Sequence, residues 1–402
     1  MSQRTILLLG GSAQQLVAIR AARDLGYRTV LCDYLPDNPG QHEVDRFYQV
    51  STTDVDAVYE VARKERVDGV LAYASDPAAL PAAIVCERLG LPTNPSGSVE
   101  VLGIKHRFRE FLRDNGFACP RMVTFNPNVD VESLKEQLKG LTFPIIVKPT
   151  DSSGSKGVTK LMDTENLNGA ISHADSYSRN KVLIAEEFIE RGFPNVIGGD
   201  IFVEDGKIIL FGEMACNRGD NGKSLIPIGK KKPAGLNSLQ AQRVHDELQR
   251  IVKALGIRFG ELNIEILLDR DDNVHFLELG PRAGGNMIPI QLSDAFSVDL
   301  PRANVLVAMG ERSGLMPQEQ DGCFCHYVVH SKVDGTYEGL EISPGIAPYI
   351  YRECIYRHQG DKVEAFDGAG KAIGIVFLRF PDVGTMERLY PDCETLIKPV
   401  LS

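Results

Sequence analysis

The stretch that decides the fold is Asn263-Ile-Glu-Ile-Leu-Leu-Asp-Arg-Asp-Asp-Asn-Val-His-Phe-Leu-Glu-Leu-Gly-Pro-Arg282. Its two apolar runs flank Asp271-Asp-Asn273, a turn sequence that predicts a hairpin over residues 259–280. Each run carries one acid, and adjacent antiparallel strands can place Glu265 and Glu278 side by side on one face. Two like charges at that distance are costly unless a cation or a proton bridges them. Oxygen-only ligands favour Mg²⁺; the alternative is that a Lys or Arg side chain satisfies each acid separately.

The chain before residue 100 alternates short apolar strands with helical patterns. The predicted strands are residues 6–9, 29–33 and 69–72. Near-continuous apolar strands that alternate with helices predict a parallel sheet covered on both faces, with any ligand near the carboxyl ends of the strands. The turn Gly10-Gly11-Ser12 lies at one of these ends.

This glycine turn follows a strand and opens a helix, as a dinucleotide-binding turn does. The GxGxxG pattern, however, requires glycines at positions where this chain has Ser12 and Gln15. We therefore do not expect NAD to bind here. Two interpretations stay open, a tight connection between strand and helix or a turn that touches a substrate.

A second α/β block begins with a predicted helix at residues 105–115 and includes a predicted strand that ends at Lys148. The small, polar loop at residues 149–157 can present several backbone N–H groups to one anion. It is not a Walker A loop, because the Gly-Lys-Ser/Thr ending is missing and residues 158–162 read as a strand. We expect a hairpin flap that closes over a triphosphate; the alternative is a surface turn.

The composition excludes several classes of protein. A chain of 402 residues with 43% hydrophobic and 24% charged residues is neither disordered nor fibrous. Its net charge of −10 repels a phosphate backbone, so we expect no nucleic-acid partner. No apolar run approaches the ~18 residues that cross a bilayer, so we expect no membrane association and a cytoplasmic location. We interpret the eight widely spaced cysteines as reduced thiols, and Cys323 and Cys325 as core residues rather than zinc ligands.

Taken in order, these motifs resemble the ATP-grasp superfamily, which includes biotin carboxylase, D-alanine:D-alanine ligase, carbamoyl phosphate synthetase and peptide-forming amino-acid ligases. The resemblance spans most of the chain. Its elements are the helix with Lys105, the strand with Lys148, the Ser/Gly loop, Ala185-Glu-Glu-Phe-Ile189 and the hairpin that ends in Leu277-Glu-Leu-Gly-Pro-Arg282.

The resemblance implies an α/β fold, α+β in parts, with three domains. Residues 1–100 would form a Rossmann-like α/β domain that precedes the nucleotide site. Residues 101–310 would form the nucleotide clamp, with a flap subdomain at about residues 119–187. Residues 311–402 would form a small β-rich domain.

The resemblance also implies ATP and Mg²⁺ as cofactors, with Mn²⁺ as a substitute for Mg²⁺. Lys105 and Lys148 correspond to the lysines that bind the α- and β-phosphates, and Asp200 is the acid nearest to the expected ribose position. The implied nucleotide-binding residues are Lys105, Lys148, Ser153, Gly154, Ser155, Glu186, Glu187, Phe188, Ile189, Asp200 and Leu277.

Glu265 and Glu278 correspond to the metal ligands of the superfamily, and Arg282 to the catalytic arginine that steadies the transferred phosphoryl group. Arg282, Gly284, Gly285 and Asn286 form the implied substrate site. The alternative for the two glycines is a loop that requires positive φ. One departure from the family pattern is Gly280, where the family usually has an asparagine ligand.

The activity implied by the resemblance is carboxylate activation. ATP would phosphorylate a small-molecule carboxylate, and an amine would displace the phosphate to leave an amide, ADP and phosphate. One alternative is a carboxylating or purine-pathway enzyme that activates bicarbonate or formate. Another is a degenerate ATP-binding regulatory subunit, which Gly280 favours. The resemblance leaves a homodimer open.

Overall fold

The computed structural model describes residues 3–152, 156–218 and 226–402. Three of the implied nucleotide-binding residues, Ser153, Gly154 and Ser155, lie outside these described residues. No helix in the described ranges combines the length and the apolar character that a bilayer span requires.

The chain folds into two compact units. The large unit comprises Met1–Val99, Ile197–Ile264 and Gly280–Ser402, and the small unit comprises Glu100–Val196 and Glu265–Leu279. These units group the chain by its internal contacts, and the three domains implied by the sequence stay a prediction.

The large unit begins with a four-stranded parallel sheet in the order β3-β2-β1-β4, as the alternating pattern predicted. The Asp54 side chain caps the second of its helices, and Gly90 ends the third in the left-handed conformation that glycine favours. The elements are β1 Thr5–Leu9, α1 Leu16–Asp24, β2 Arg28–Asp33, β3 Arg46–Gln49, α2 Val55–Glu65, β4 Gly69–Leu71 and α3 Asp76–Leu89. Helix α4, Ser96–Gly103, follows.

The small unit contains a four-stranded antiparallel sheet in the order β5-β8-β6-β7. Its core lies between this sheet and two helices, where Leu134, Leu138, Ala170 and Ala174 are fully buried. The elements are α5 Lys105–Asp114, β5 Met122–Phe125, α6 Val131–Leu138, β6 Ile145–Pro149, β7 Thr159–Leu161, α7 Leu167–Tyr177 and β8 Leu183–Glu187. β6 and β7 pair in antiparallel orientation, in agreement with the hairpin predicted around the loop at residues 149–157.

An eight-stranded sheet follows the order β13-β12-β9-β10-β11-β14-β18-β16. The chain passes from the large unit to the small unit within β12 and returns within β13. These are the two strands of the hairpin predicted over residues 259–280. The first elements of this part are β9 Ile197–Glu204, β10 Lys207–Arg218, β11 Pro227–Lys232, α8 Ser238–Ala254, β12 Gly260–Leu268, β13 Val274–Gly280, α9 Ile288–Phe296 and α10 Leu300–Ala308.

The last hundred residues are rich in strands, as predicted, and include a three-stranded sheet in the order β17-β15-β19. Cys323 and Cys325 are buried in the core on β14, and all eight cysteines are free. The elements are β14 Cys323–Val329, β15 Gly335–Ile342, β16 Ile350–Ile355, β17 Lys362–Val363, β18 Gly374–Phe380, α11 Val383–Leu389, α12 Cys393–Leu396 and β19 Ile397–Leu401.

Candidate functional site

A buried ionic network lies at the centre of the small unit. The Glu186 carboxylate on β8 pairs with the Lys148 amine on β6, and its second oxygen accepts a hydrogen bond of 2.9 Å from Arg109 Nε. Arg109 has no exposed side-chain surface. Its two terminal nitrogens donate to the carbonyls of Phe276 and Leu277, each at 3.0 Å. Arg109 therefore joins α5, β8 and β13.

Burial acts in opposite directions on the pKa values of Lys148 and Glu186. Desolvation lowers the pKa of Lys148 to about 8, because it outweighs the attraction of Glu186. Desolvation would raise the pKa of Glu186, but the charges of Arg109 and Lys148 outweigh it and lower that pKa to about 2. Glu186 is therefore ionised at neutral pH and fixes the Lys148 amine in place.

The second implied phosphate-binding lysine, Lys105, is the first residue of α5. Its amine donates to the carbonyl of Ser152 at 2.5 Å and lies 3.6 Å from a carboxylate oxygen of Glu278. Ser152 is itself a residue of the Ser/Gly loop at residues 149–157. The small unit thus brings one cation and one acid of the predicted site into direct contact.

Glu265 and Glu278 lie on the neighbouring strands β12 and β13, and both side chains are half-buried. No group of three His, Cys, Asp or Glu side chains among the described residues could hold a metal by itself. Mg²⁺ usually takes one or two protein carboxylates and completes its shell with water and substrate phosphates. Two partly accessible carboxylates on adjacent strands fit that requirement.

The predicted adenine hinge begins at the end of β8, at Glu186 and Glu187. The Glu187 carboxylate accepts hydrogen bonds from Arg121 Nη2 and from the backbone N–H of Thr142, at 2.5 and 2.7 Å. The Phe188 ring is 37% exposed, and the Lys160 amine lies 3.6 Å from its centroid. Glu186 pairs with Arg109 and Lys148. The contacts with adenine that the resemblance implies stay predictions for Glu186, Glu187, Phe188, Ile189 and Leu277.

In the large unit, Arg282 is held in a defined position. Its Nη2 lies 2.5 Å from a carboxylate oxygen of Asp76, and its Nη1 donates to the carbonyl of Ala283 at 3.1 Å. A Cβ atom at Gly280 would lie 3.0 Å from the central carbon of the guanidinium. The guanidinium thus occupies space beside Gly280 that a longer side chain would need.

Asp200 anchors the turn that follows Arg282. Its two carboxylate oxygens accept hydrogen bonds from the Asn263 side chain, at 2.7 Å, and from the backbone N–H of Gly284, at 2.8 Å. Asp200 has no exposed surface, and these bonds occupy both oxygens. This arrangement argues against the predicted contact between Asp200 and ribose.

The turn predicted to bind substrate needs glycine at Gly284 because of close packing, not because of φ. A Cβ at Gly284 would lie 2.6 Å from Asp200 Oδ1, whereas positive φ occurs at Asn286 and Met287 instead. The backbone N–H of Asn286 donates to the Gln14 side chain at 2.7 Å. The interpretation of the two glycines as a loop that requires positive φ is therefore wrong.

Several residues of this arrangement were not predicted from the sequence, namely Arg109, Asp76, Asn263 and Gln14. Arg109 had one usable signal, since it lies between the buried residues Phe108 and Leu112 of α5. Asp76 is the first residue of α3, where an acid is ordinarily explained by the helix dipole. No sequence pattern around Asn263 or Gln14 indicated a role in the site.

Two family models match the chain. Residues 19–93 match the ATP-grasp N-terminal domain, and residues 105–312 match the ATP-binding domain of the carbamoyl-phosphate synthase L chain. The chain belongs to the ATP-grasp superfamily. The resemblance and the fold class predicted from the sequence motifs are confirmed.

Among the curated relatives of this ATP-grasp protein is the carbamoyl phosphate synthase large chain of Thermotoga sp. (strain RQ2). The two are 23% identical over 302 residues, which cover 72% of this chain and 26% of that protein. The chain therefore spans about a quarter of the length of this relative.

The fold is similar to that of the L-amino acid ligase from Bacillus licheniformis, with a TM-score of 0.81, 19% identity and full coverage of both chains. It is also similar to the biotin carboxylase domain of 2-oxoglutarate carboxylase from Hydrogenobacter thermophilus. That comparison has a TM-score of 0.77 and 18% identity, and it covers 100% of this chain and 91% of the other. The latter structure is a domain dimer in complex with MgADP, ADP and bicarbonate, so ATP-grasp relatives bind adenine nucleotide with magnesium.

Proposed function

We propose that this ATP-grasp protein is a carboxylate–amine ligase that forms an amide or peptide bond through an acyl phosphate. The observation that carries the proposal is the anchored Arg282 and the turn after it. Asp76 fixes the guanidinium, and Asp200 fixes the Gly284 backbone. An anchored guanidinium is suited to a small carboxylate, because its planar set of N–H donors matches the two carboxylate oxygens.

For the nucleotide, the proposal assigns Lys105 and Lys148 to the phosphates. Their positions are fixed by the Ser152 carbonyl and by Glu186, so little side-chain entropy is lost when a phosphate binds. Glu265 and Glu278 would hold Mg²⁺, which offsets phosphate charge when bound. Gly280 leaves the metal without the third protein ligand of the family pattern, and water or phosphate oxygen can take that position.

The proposed reaction has two steps. A carboxylate oxygen attacks the γ-phosphorus of ATP, the bond to the β-phosphate oxygen breaks, and ADP leaves. The amine nitrogen then attacks the acyl carbon, the bond from carbon to the phosphate oxygen breaks, and phosphate leaves as the nitrogen loses a proton. Arg282 would stabilise negative charge on the phosphoryl group in both steps.

The test is a screen of ADP release that combines a panel of carboxylic acids with a panel of amines. We expect ADP release that requires both an acid and an amine, because the acyl phosphate is consumed only when an amine attacks it. ADP release that depends on bicarbonate and needs no other acid would support the carboxylating alternative. Tight nucleotide binding without turnover on any pair would support the regulatory alternative.

A further inference from the structure

Strand β13 loses its regular alternation at the residues predicted to bind nucleotide and metal. Side chains of a regular strand point alternately to its two faces, so burial repeats every second residue. Buried and half-buried residues alternate in this way over residues 274–277. The alternation stops at Glu278, which is half-buried like Leu277 before it. The strand therefore presents two consecutive, partly accessible side chains, the predicted adenine wall Leu277 and the predicted metal ligand Glu278.

The backbone carbonyls of β13 at this point converge on one side chain. Arg109 is fully buried, and its two terminal nitrogens donate to the carbonyls of Phe276 and Leu277, each at 3.0 Å. Successive carbonyls of a regular strand point to opposite edges, so their convergence on one guanidinium indicates a local irregularity. Two bonds from a rigid, planar group fix the peptide groups on both sides of Leu277. The second of these peptide groups contains the N–H of Glu278.

The third nitrogen of the Arg109 guanidinium bonds to the other half of the predicted nucleotide site. Arg109 Nε donates to the Glu186 carboxylate at 2.9 Å, and Glu186 pairs with the amine of Lys148. Since the Arg109 side chain has no exposed surface, it is not placed to touch a ligand itself. One buried guanidinium thus connects the strand segment that carries Glu278 with the predicted phosphate-binding Lys148.

We propose that Arg109 is a positioning residue for the complex of Mg²⁺ with nucleotide. By holding the backbone on both sides of Leu277, it places the Glu278 carboxylate for the metal. Through Glu186 it keeps the Lys148 amine in place for a phosphate. The inference rests on the proposed function, which assigns Glu278 to Mg²⁺ and Lys148 to ATP. Residues that orient a metal ligand without touching the metal typically contribute about 10–100-fold to metal affinity.

The test measures how much Mg²⁺ strengthens the binding of a non-hydrolysable ATP analogue. Calorimetry with excess Mg²⁺ and with EDTA gives two dissociation constants, and we call their ratio the magnesium factor. Arg109→Lys keeps a positive charge but loses the planar set of three bonds, so it should lower the magnesium factor about tenfold or more. Arg113→Lys, the same substitution at an exposed position of α5, should keep the wild-type factor. An unchanged factor in Arg109→Lys would overturn the proposal.

A double-mutant cycle separates positioning of Glu278 from general damage to the small unit. If Arg109 acts through the Glu278 carboxylate, Arg109→Lys should change the magnesium factor little once Glu278→Gln has removed that carboxylate. General damage would lower the factor by the same ratio with Glu278 and with Gln at that position. Equal ratios in the two backgrounds would therefore contradict the positioning role.

A second variant, Glu186→Gln, keeps the proposal testable even if Arg109→Lys fails to fold. A glutamine oxygen can still accept a bond from Arg109 Nε, so the two carbonyl bonds of Arg109 remain while the charge that holds Lys148 is lost. We expect weaker binding of the analogue with and without Mg²⁺, and a magnesium factor close to the wild-type value. A factor lowered tenfold would contradict the role of Arg109.

The wild-type protein separates the two levels of the argument. If it binds the analogue neither with Mg²⁺ nor without, the nucleotide assignments of the proposed function are wrong, and the role of Arg109 is wrong with them. If it binds with a clear magnesium factor that Arg109→Lys shares, only the role of Arg109 is wrong.

Discussion

Gly280 stands where ATP-grasp enzymes usually carry an asparagine, and its lack of a side chain leaves room for Arg282. A Cβ at this position would lie 3.0 Å from the central carbon of the guanidinium and 3.2 Å from each of its two terminal nitrogens, so the guanidinium would have to move by a few tenths of an ångström. The departure from the family pattern and the Arg282–Asp76 pair are therefore linked. The same glycine supplies no side chain that could serve as a third metal ligand.

We predict that Gly280→Ala lowers kcat about tenfold while the KM for ATP stays close to the wild-type value. The added methyl displaces the guanidinium from Asp76, and a tenfold loss corresponds to about 1.4 kcal/mol of transition-state stabilisation. Steady-state measurement of ADP release tests this. Gly97→Ala is the matched control, because a Cβ at Gly97 meets no atom within 4 Å. Wild-type kcat in Gly280→Ala would show that Arg282 does not depend on the glycine.

The two acids of the hairpin lead to a second prediction. Glu278→Gln and Glu265→Gln should each lower turnover by on the order of a hundredfold with the fold intact, because each removes a charge that balances Mg²⁺. Turnover at saturating Mg²⁺ and circular dichroism measure the two properties. Glu132→Gln, an exposed acid of α6, is the control. Near-wild-type rates in both hairpin variants would mean that these acids are not metal ligands.

At the scale of elements, Arg109 and Glu186 connect a helix to two strands inside the small unit. Removal of one partner leaves a buried charge uncompensated, which typically costs about 3–5 kcal/mol. Lys105, four residues before Arg109, lies on the same side of α5. The network that stabilises these elements therefore also positions both lysines of the predicted phosphate site.

This network predicts a specific dependence of stability on pH. The pKa of Glu186 is lowered from 4.5 to about 2 by Arg109 and Lys148, against the effect of burial. Between these values the unfolded chain binds a proton at Glu186 that the folded chain does not, so stability rises with pH there and falls as the medium is acidified. Urea unfolding should show a shallower fall between pH 4.5 and pH 2 in Glu186→Gln than in the wild type.

The exposed acid Glu60 supplies the control for this measurement, since it pairs with Arg63 on the surface of α2. Glu60→Gln should follow the wild-type curve through the same pH range. An identical slope in Glu186→Gln and in the wild type would contradict the assignment of an ionised, buried Glu186.

The elements themselves were largely predictable, because their signals are local. The hairpin was expected over residues 259–280, and its strands are Gly260–Leu268 and Val274–Gly280. Arg109 was not predicted as a buried residue. Helix α5 carries four other basic residues, and charged side chains in a helix are usually exposed to solvent. Its burial depends on carbonyls of β13 more than 160 residues away, which no local pattern records.

At the scale of the whole molecule, the order of motifs along the chain was sufficient to identify the superfamily, because the motifs extend over most of the chain. The partners of Arg282 and Asp200 were not predictable. Asp76 is 206 residues from Arg282 in sequence, and Gly284 is 84 residues from Asp200. Such pairs follow from tertiary packing, which no local pattern in the sequence records.

The central claim is the acyl phosphate, and an oxygen-isotope measurement tests it most directly. An acid found in the ADP-release screen is labelled with ¹⁸O in its carboxylate and ligated to its amine. In the proposed reaction a carboxylate oxygen bonds to the γ-phosphorus and leaves with it, so the account predicts one ¹⁸O atom in inorganic phosphate and none in the nucleotide. Recovery of the label in AMP, with release of pyrophosphate, would contradict it.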